Sequence, residues 1–135
     1  MIRTEMLKKN YEFAKVFNKG SFYVGRHIIV YVLPNKQSFN RLGISVSKKA
    51  GNAVMRNRKK RIIRENYRQY EDCILNGYDI VIAARAEDTV PKYAALLKEF
   101  KYLIKKLKVF DQEKYNCLKE LWFLWFGFIK EFYRH

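Results

Sequence analysis

Apolar side chains recur along this chain with two different periods, and the switches between them mark out its elements. From Asn10, a candidate N-cap, to Gly20, the residues Phe13, Val16 and Phe17 recur at i, i+3 and i+4, which predicts a short helix with one aromatic stripe. Residues 27–33, HIIVYVL, are β-branched and aromatic and stop at Pro34, and residues 41–47, RLGISVS, alternate Leu42, Ile44 and Val46 against small residues. These segments predict two strands joined by the polar turn NKQSFN. Gly51 and Asn52 then break the extended chain and cap a long helix from about Ala53 to Leu75, uninterrupted by Pro or Gly and ended by Gly77. YDIVIAA, residues 78–84, is a third strand. After Thr89 and Pro91, the spacing of Leu96, Leu97, Phe100, Leu103, Ile104 and Leu107 predicts a last helix. The order α-β-β-α-β-α describes one small α+β domain over residues 1–110. The composition changes between Val109 and Glu113, so residues 111–135 read as an aromatic-rich extension with no assigned role.

Size supports that division, since 135 residues are too few for two ordinary domains while 49% hydrophobic residues supply one core. With 16% aromatic residues, 6 Gly and 2 Pro, disordered and collagen-like classes are excluded. Cys73 and Cys117 lie 44 residues apart with no CxxC pair and no His near either, so neither a zinc site nor a disulfide framework is signalled. The N-terminus has no apolar signal core, and the longest apolar run, Leu121 to Phe126, falls far short of the ~20 residues that span a bilayer. A cytoplasmic protein with no stable membrane association is expected.

Charge sharpens the picture. The chain carries a net +15, and residues 48–70 alone hold 9 basic side chains against one acid, Glu65. On a helical wheel Asn57, Lys60, Arg61, Arg64 and Arg68 share an arc of about 100°, opposite Met55, Ile62, Ile63, Asn66, Tyr70 and Cys73. A merely solvated face normally mixes signs to gain i,i+4 pairs, and this one does not. Arginine forks two donors onto one phosphate, so the stripe suits a phosphodiester backbone better than mobile lipid headgroups. Apart from Asn57 it lacks the short polar side chains that read base edges in a major groove, which favours shape-selective recognition of RNA.

Catalysis by the chain itself finds little support. Its acids occur mainly as Glu71–Asp72 and Glu87–Asp88, and its histidines are His27 and His135. Adjacent acids on a helix diverge by about 100°, and neither pair shows a partner that would complete a metal or acid–base site. A non-catalytic ribosomal or translation-factor-like RNA-binding module would share the basic helix. Membrane-surface binding through Trp122, Trp125, Phe126, Ile129 and Phe132 is a third reading, but this tail is neutral and the basic cluster lies elsewhere.

Residues 41–65, RLGISVSKKAGNAVMRNRKKRIIRE, closely resemble the core motif of the bacterial ribonuclease P protein subunit. The motif's loop and helix start are present as Lys48, Lys49, Gly51, Asn52, Ala53, Val54, Arg56, Asn57 and Arg58. NYEFAKVFNKG is similar to the family's first helix, and residues 91–107 to its last. The resemblance implies a domain that binds the catalytic RNA of ribonuclease P and assists removal of the 5′ leader from precursor tRNA, with the chemistry carried by the RNA and Mg²⁺ held through it. It implies that Lys48, Lys49, Asn52, Arg56, Asn57, Arg58, Lys60, Arg61, Arg64 and Arg68 face RNA. It also implies that Phe13, Phe17 and Tyr31 line a cleft for single-stranded leader, and that a β-α-β crossover is left-handed, against the general rule. Lys59 departs from the family pattern, which often has an apolar residue there, and its long stem is expected to snorkel. The end of the tail resembles the start of a small membrane-insertion efficiency factor, as an extension from an overlapping reading frame would.

Overall fold

The computed structural model describes residues 4–121 and 124. In chain order its elements are β1 (Thr4–Met6), α1 (Asn10–Lys19), β2 (Ser21–Val24), β3 (Ile28–Pro34), β4 (Asn40–Ser45), α2 (Ala53–Tyr70), β5 (Tyr78–Ala84) and α3 (Tyr93–Lys106), with 3₁₀ turns at Lys48–Ala50 and Glu71–Cys73. Residues 112–121 are helical as well. The strands form one sheet in the order β1-β4-β5-β3-β2. β4 runs parallel to both β1 and β5, and β3 runs antiparallel to β5 and β2. Helix α2 is thus the crossover between the parallel neighbours β4 and β5.

Alternation along β3 assigns its residues to the two faces of the sheet. Ile28, Val30 and Val32 are buried with Leu42, Ile80 and Ile82 under α2 and α3, where Ile63, Tyr67, Leu96, Phe100, Leu103 and Ile104 complete the main core. Tyr31 and Leu33 face the other way and pack with Phe13 against a smaller cluster of Leu7, Val16 and Val81, covered by α1. β5, covered on both sides, is buried from Asp79 to Ile82 and reads as a continuous apolar run rather than an alternating one.

The expected elements are all present, with several corrections. β1 and β2 are additional edge strands: β2 is exposed throughout, and β1 alternates in burial over only three residues, too few to read as a period. The N-cap of α1 is Lys9, one residue before the expected Asn10, and its backbone N–H donates to the Glu12 carboxylate at 3.2 Å. Helix α2 stops at Tyr70 rather than Leu75. Beyond it the chain passes through the 3₁₀ turn to a paired segment, with Leu75 N–H bonded to the Val109 carbonyl at 2.8 Å and Ile74 bridged to Phe110. Tertiary pairing there overrides the helical pattern. Tyr67, absent from the expected packing face, is fully buried, and its hydroxyl is hydrogen-bonded to Thr4 Oγ1 at 2.8 Å. Burial is the main cause that pushes this phenol up to about 12, so it stays neutral.

Lys59 does not snorkel. It is 2% exposed, and its ammonium donates to the carbonyls of Ala50 and Glu87 at 2.7 Å each. The stem packs inward and the head ties the Lys48–Ala50 turn to the loop after β5. Lys59→Ala should cost about 2 kcal/mol in urea unfolding, from the lost stem contacts and two carbonyls left without their donor. An unchanged midpoint would mean that water replaces the ammonium freely.

The start of the extension is anchored to the domain. Asp111 N–H donates to the Cys73 carbonyl at 2.7 Å, and the Tyr115 ring lies 4.1 Å from Lys101 Nζ, whose hydrogen bond and charge lower its pKa. Leu118, Leu121 and Leu124 are exposed. The stripe from Trp122 to Phe132 and His135 lie outside the described residues. Among those described, no helix is long and apolar enough to cross a membrane.

Candidate nucleic-acid interface

The basic helix begins at a well-defined corner. Gly51 takes φ 120°, a backbone conformation open to glycine at little cost, and Asn52 Oδ1 then accepts from Met55 N–H at 2.9 Å to cap α2. Lys48 and Lys49 stand exposed on the 3₁₀ turn just before this corner. Along α2, Asn52, Asn57, Arg58, Lys60, Arg61 and Arg68 are exposed, while Arg56 and Arg64 are half-buried. Arg68 is partly occupied, since its guanidinium meets Glu65 at 3.1 Å. An exposed pair of this kind contributes little and leaves the face strongly positive.

A groove of about 450 Å³ runs beside this surface, between α1 and the end of β4. Asn10, Phe13, Ala14 and Phe17 form one wall, Ile44, Ser45 and Val46 the other, and Lys60 of α2 reaches into the lining. The structure therefore brings Phe13 and Phe17 together with one member of the cationic stripe. Phe13 leans into the small core, whereas Phe17 is 37% exposed. Tyr31 does not line the groove. It stands behind Phe17 on the sheet, ring centroids 4.8 Å apart and nearly perpendicular. Gly43 explains how Phe13 fits: a Cβ at that position would lie 2.6 Å from the Phe13 ring. An isolated glycine within a strand pattern was the available signal for such close approach.

Sequence reasoning missed two features of this face. Phe22, opposite Tyr31 in the β2–β3 register, adds a third ring at 5.5 Å from Tyr31. Arg41 of β4 joins the buried Asp79 of β5 to Glu12 of α1, at 2.6 and 2.8 Å, and so moors the helix that carries Phe13 and Phe17. Hydrogen bonding to Asp79 is the first cause that holds the Arg41 guanidinium above its usual pKa.

The acids also need correcting, because Glu87 does have a partner: His27 Nδ1 lies 2.8 Å from its carboxylate. The His27 backbone N–H donates to Glu99 at 2.8 Å, and Glu71 accepts from Thr4 Oγ1 at 3.1 Å. The His27–Glu87 pair borders a small apolar pocket with Lys59, Ile62 and Leu96, on the α2–α3 side of the sheet, away from the α1 groove. Among the described residues no three His, Cys, Asp or Glu side chains cluster closely enough to hold a metal ion. Cys73 is buried and Cys117 exposed, both as free thiols.

Comparison with known proteins agrees with this arrangement. A family profile described as Ribonuclease P matches residues 1–108. The chain is 42% identical over 106 residues to the ribonuclease P protein component of Natranaerobius thermophilus, covering 78% of this chain and 92% of that protein. It is 40% identical over 108 residues to that of Clostridioides difficile, covering 79% and 95%. Among solved structures, the Staphylococcus aureus RNase P protein superposes with a TM-score of 0.71 at 40% identity, covering 78% of this chain and 96% of that one. The Thermotoga maritima RNase P protein gives 0.68 at 29%, covering 76% and 96%. With a family match across four-fifths of its length and relatives aligned over nearly their whole chains, this chain belongs to the ribonuclease P protein component family.

Proposed function

We propose that this chain binds the catalytic RNA of ribonuclease P through the Lys48–Lys49 turn and the exposed side of α2. The groove under α1 would hold the 5′ leader of precursor tRNA, so that the complex removes the leader and leaves the mature 5′ end. The observation that carries this reading is Lys60, which belongs to the cationic stripe and also lines the groove with Phe13 and Phe17. A single strand leaving the RNA-facing helix would meet aromatic faces at once, and these stack unpaired bases without reading their sequence. The family match favours this over a free-standing ribosomal or translation-factor-like RNA-binding module.

The chemistry is assigned to the RNA. RNA phosphates suit a hard cation such as Mg²⁺ and are assigned its ligation, and the protein's part is to hold leader and RNA in register. The test is reconstitution. Added to a bacterial ribonuclease P RNA, the chain should restore cleavage of precursor tRNA at Mg²⁺ concentrations too low for the RNA alone. The chain without RNA should leave the substrate intact. Metal-dependent cleavage at the mature 5′ end by RNA-free protein, or no gain on reconstitution, would overturn the proposal.

A further inference from the structure

The geometry points to Phe22 as a third leader-stacking side chain, extending the aromatic path from the groove across Tyr31 to the outer edge of the sheet. This deepens the leader-binding reading above and rests on it. Phe17 lines the groove, Tyr31 touches Phe17 edge to face at 4.8 Å, and Phe22 meets the far side of Tyr31 at 5.5 Å with the rings inclined by 34°. The three rings come from three elements, α1, β3 and β2, and form a connected row on the face of the sheet that α1 only partly covers. Phe22 ends that row and is 57% exposed.

An edge strand normally protects itself with charge, proline or a bulge. β2 does none of these: its sequence is SFYV, and all four residues are exposed. Tyr23, on the opposite face, has a local explanation, since it packs edge to face on Tyr102 of α3 at 6.3 Å. Among the described residues Phe22 has no aromatic cover beyond Tyr31. The chain segment that carries it suits a polyanion, because residues 13–26 hold Lys15, Lys19 and Arg26 and no acid. An exposed ring at the end of an aromatic row in a basic setting fits a base of a single-stranded RNA whose phosphates run past those cations. An apolar protein partner would gain nothing from that charge.

The experiment uses the holoenzyme reconstituted with a bacterial ribonuclease P RNA and a series of precursor tRNAs whose leaders lengthen by one nucleotide at a time. Affinity is compared for Phe22→Ala, Phe22→Leu, Phe22→Tyr and Phe17→Ala, with urea unfolding of each free protein. Phe17→Ala is expected to weaken binding from the shortest leaders that enter the groove. Phe22→Ala and Phe22→Leu should weaken it about five-fold, and only once the leader is longer by the nucleotides that cross Tyr31, while Phe22→Tyr retains affinity. Leucine keeps apolar bulk over Tyr31 without a stacking face, so equal affinity of Phe22→Leu and the unaltered protein would overturn the proposal. So would a loss that is the same at every leader length, which would make Phe22 a support for Tyr31. If Phe17→Ala discriminates leaders and Phe22→Ala does not, the path ends at Tyr31 and the groove reading stands. If neither discriminates, the groove reading itself fails.

Discussion

Replacing Lys60, Arg61 and Arg64 together by alanine should flatten the log–log dependence of ribonuclease P RNA affinity on salt by roughly 2 to 3, since each phosphate contact contributes about 0.7 to 0.9 through released counterions. Arg61→Ala and Arg64→Ala alone should each lower the slope by about one contact. On a fourfold rise in salt, the triple variant should therefore lose roughly 30-fold less affinity than the unaltered protein, from a weaker starting point. The fold should tolerate the change. Lys60 and Arg61 are exposed, Arg64 is half-buried, and the salt bridge on this helix, Arg68 to Glu65, is left alone. Binding isotherms across salt concentrations measure the slope, and urea unfolding confirms that the variant is native. An unchanged slope would reduce the stripe to a solvated face.

The legible part of this molecule was its interior. Ile28, Val30 and Val32 announce β3 by alternation, and Leu96, Phe100, Leu103 and Ile104 announce the inner face of α3 by helical spacing. Both patterns exist because one face of each element is dry. β2 escaped because an edge strand exposed on both faces is under no such constraint, and β1 because three residues with only Thr4 and Met6 half-buried are too short to show a period. The same limit hid Phe22, whose significance depends on lying opposite Tyr31 across a strand pair that was not foreseen. The cationic stripe was visible since nine like charges in one segment need no tertiary context. Lys59 was the exception among them: its departure from the family pattern was visible, but only the Ala50 and Glu87 carbonyls explain how its ammonium stays buried. The groove was reachable only through the family resemblance, and then only as three aromatic positions. That Lys60 joins them is a property of the packing.

Asp79→Ala should cost about 3 kcal/mol in stability, a large share of the 5–15 kcal/mol typical of a domain. Asp79 is 3% exposed, and its carboxylate accepts from Arg41 Nε at 2.8 Å, Arg41 Nη2 at 2.6 Å and Asn35 Nδ2 at 2.9 Å. The fork from Arg41 is bidentate, the strongest geometry for such a pair. Truncating the acid leaves a partly buried guanidinium hydrogen-bonded to Glu12, with the charge of Glu5 nearby, and that partly desolvated charge accounts for most of the loss. Asp79→Leu with Arg41→Leu removes both charges, so it should recover a good part of the stability. The pair would then be shown to fix geometry more than to add net stability. Its geometric role falls on α1, because Glu12 precedes Phe13 and is held by Arg41 at 2.8 Å. The double variant is therefore expected to fold yet bind leader-bearing precursor tRNA more weakly than the unaltered protein, with mature tRNA affinity retained. Urea unfolding and paired affinity measurements separate the two effects. A cost below about 1 kcal/mol for Asp79→Ala would mean that water screens this network. In that case the contacts of Phe13 and Val16 with Leu7 and Val81 would be what holds α1 over the groove.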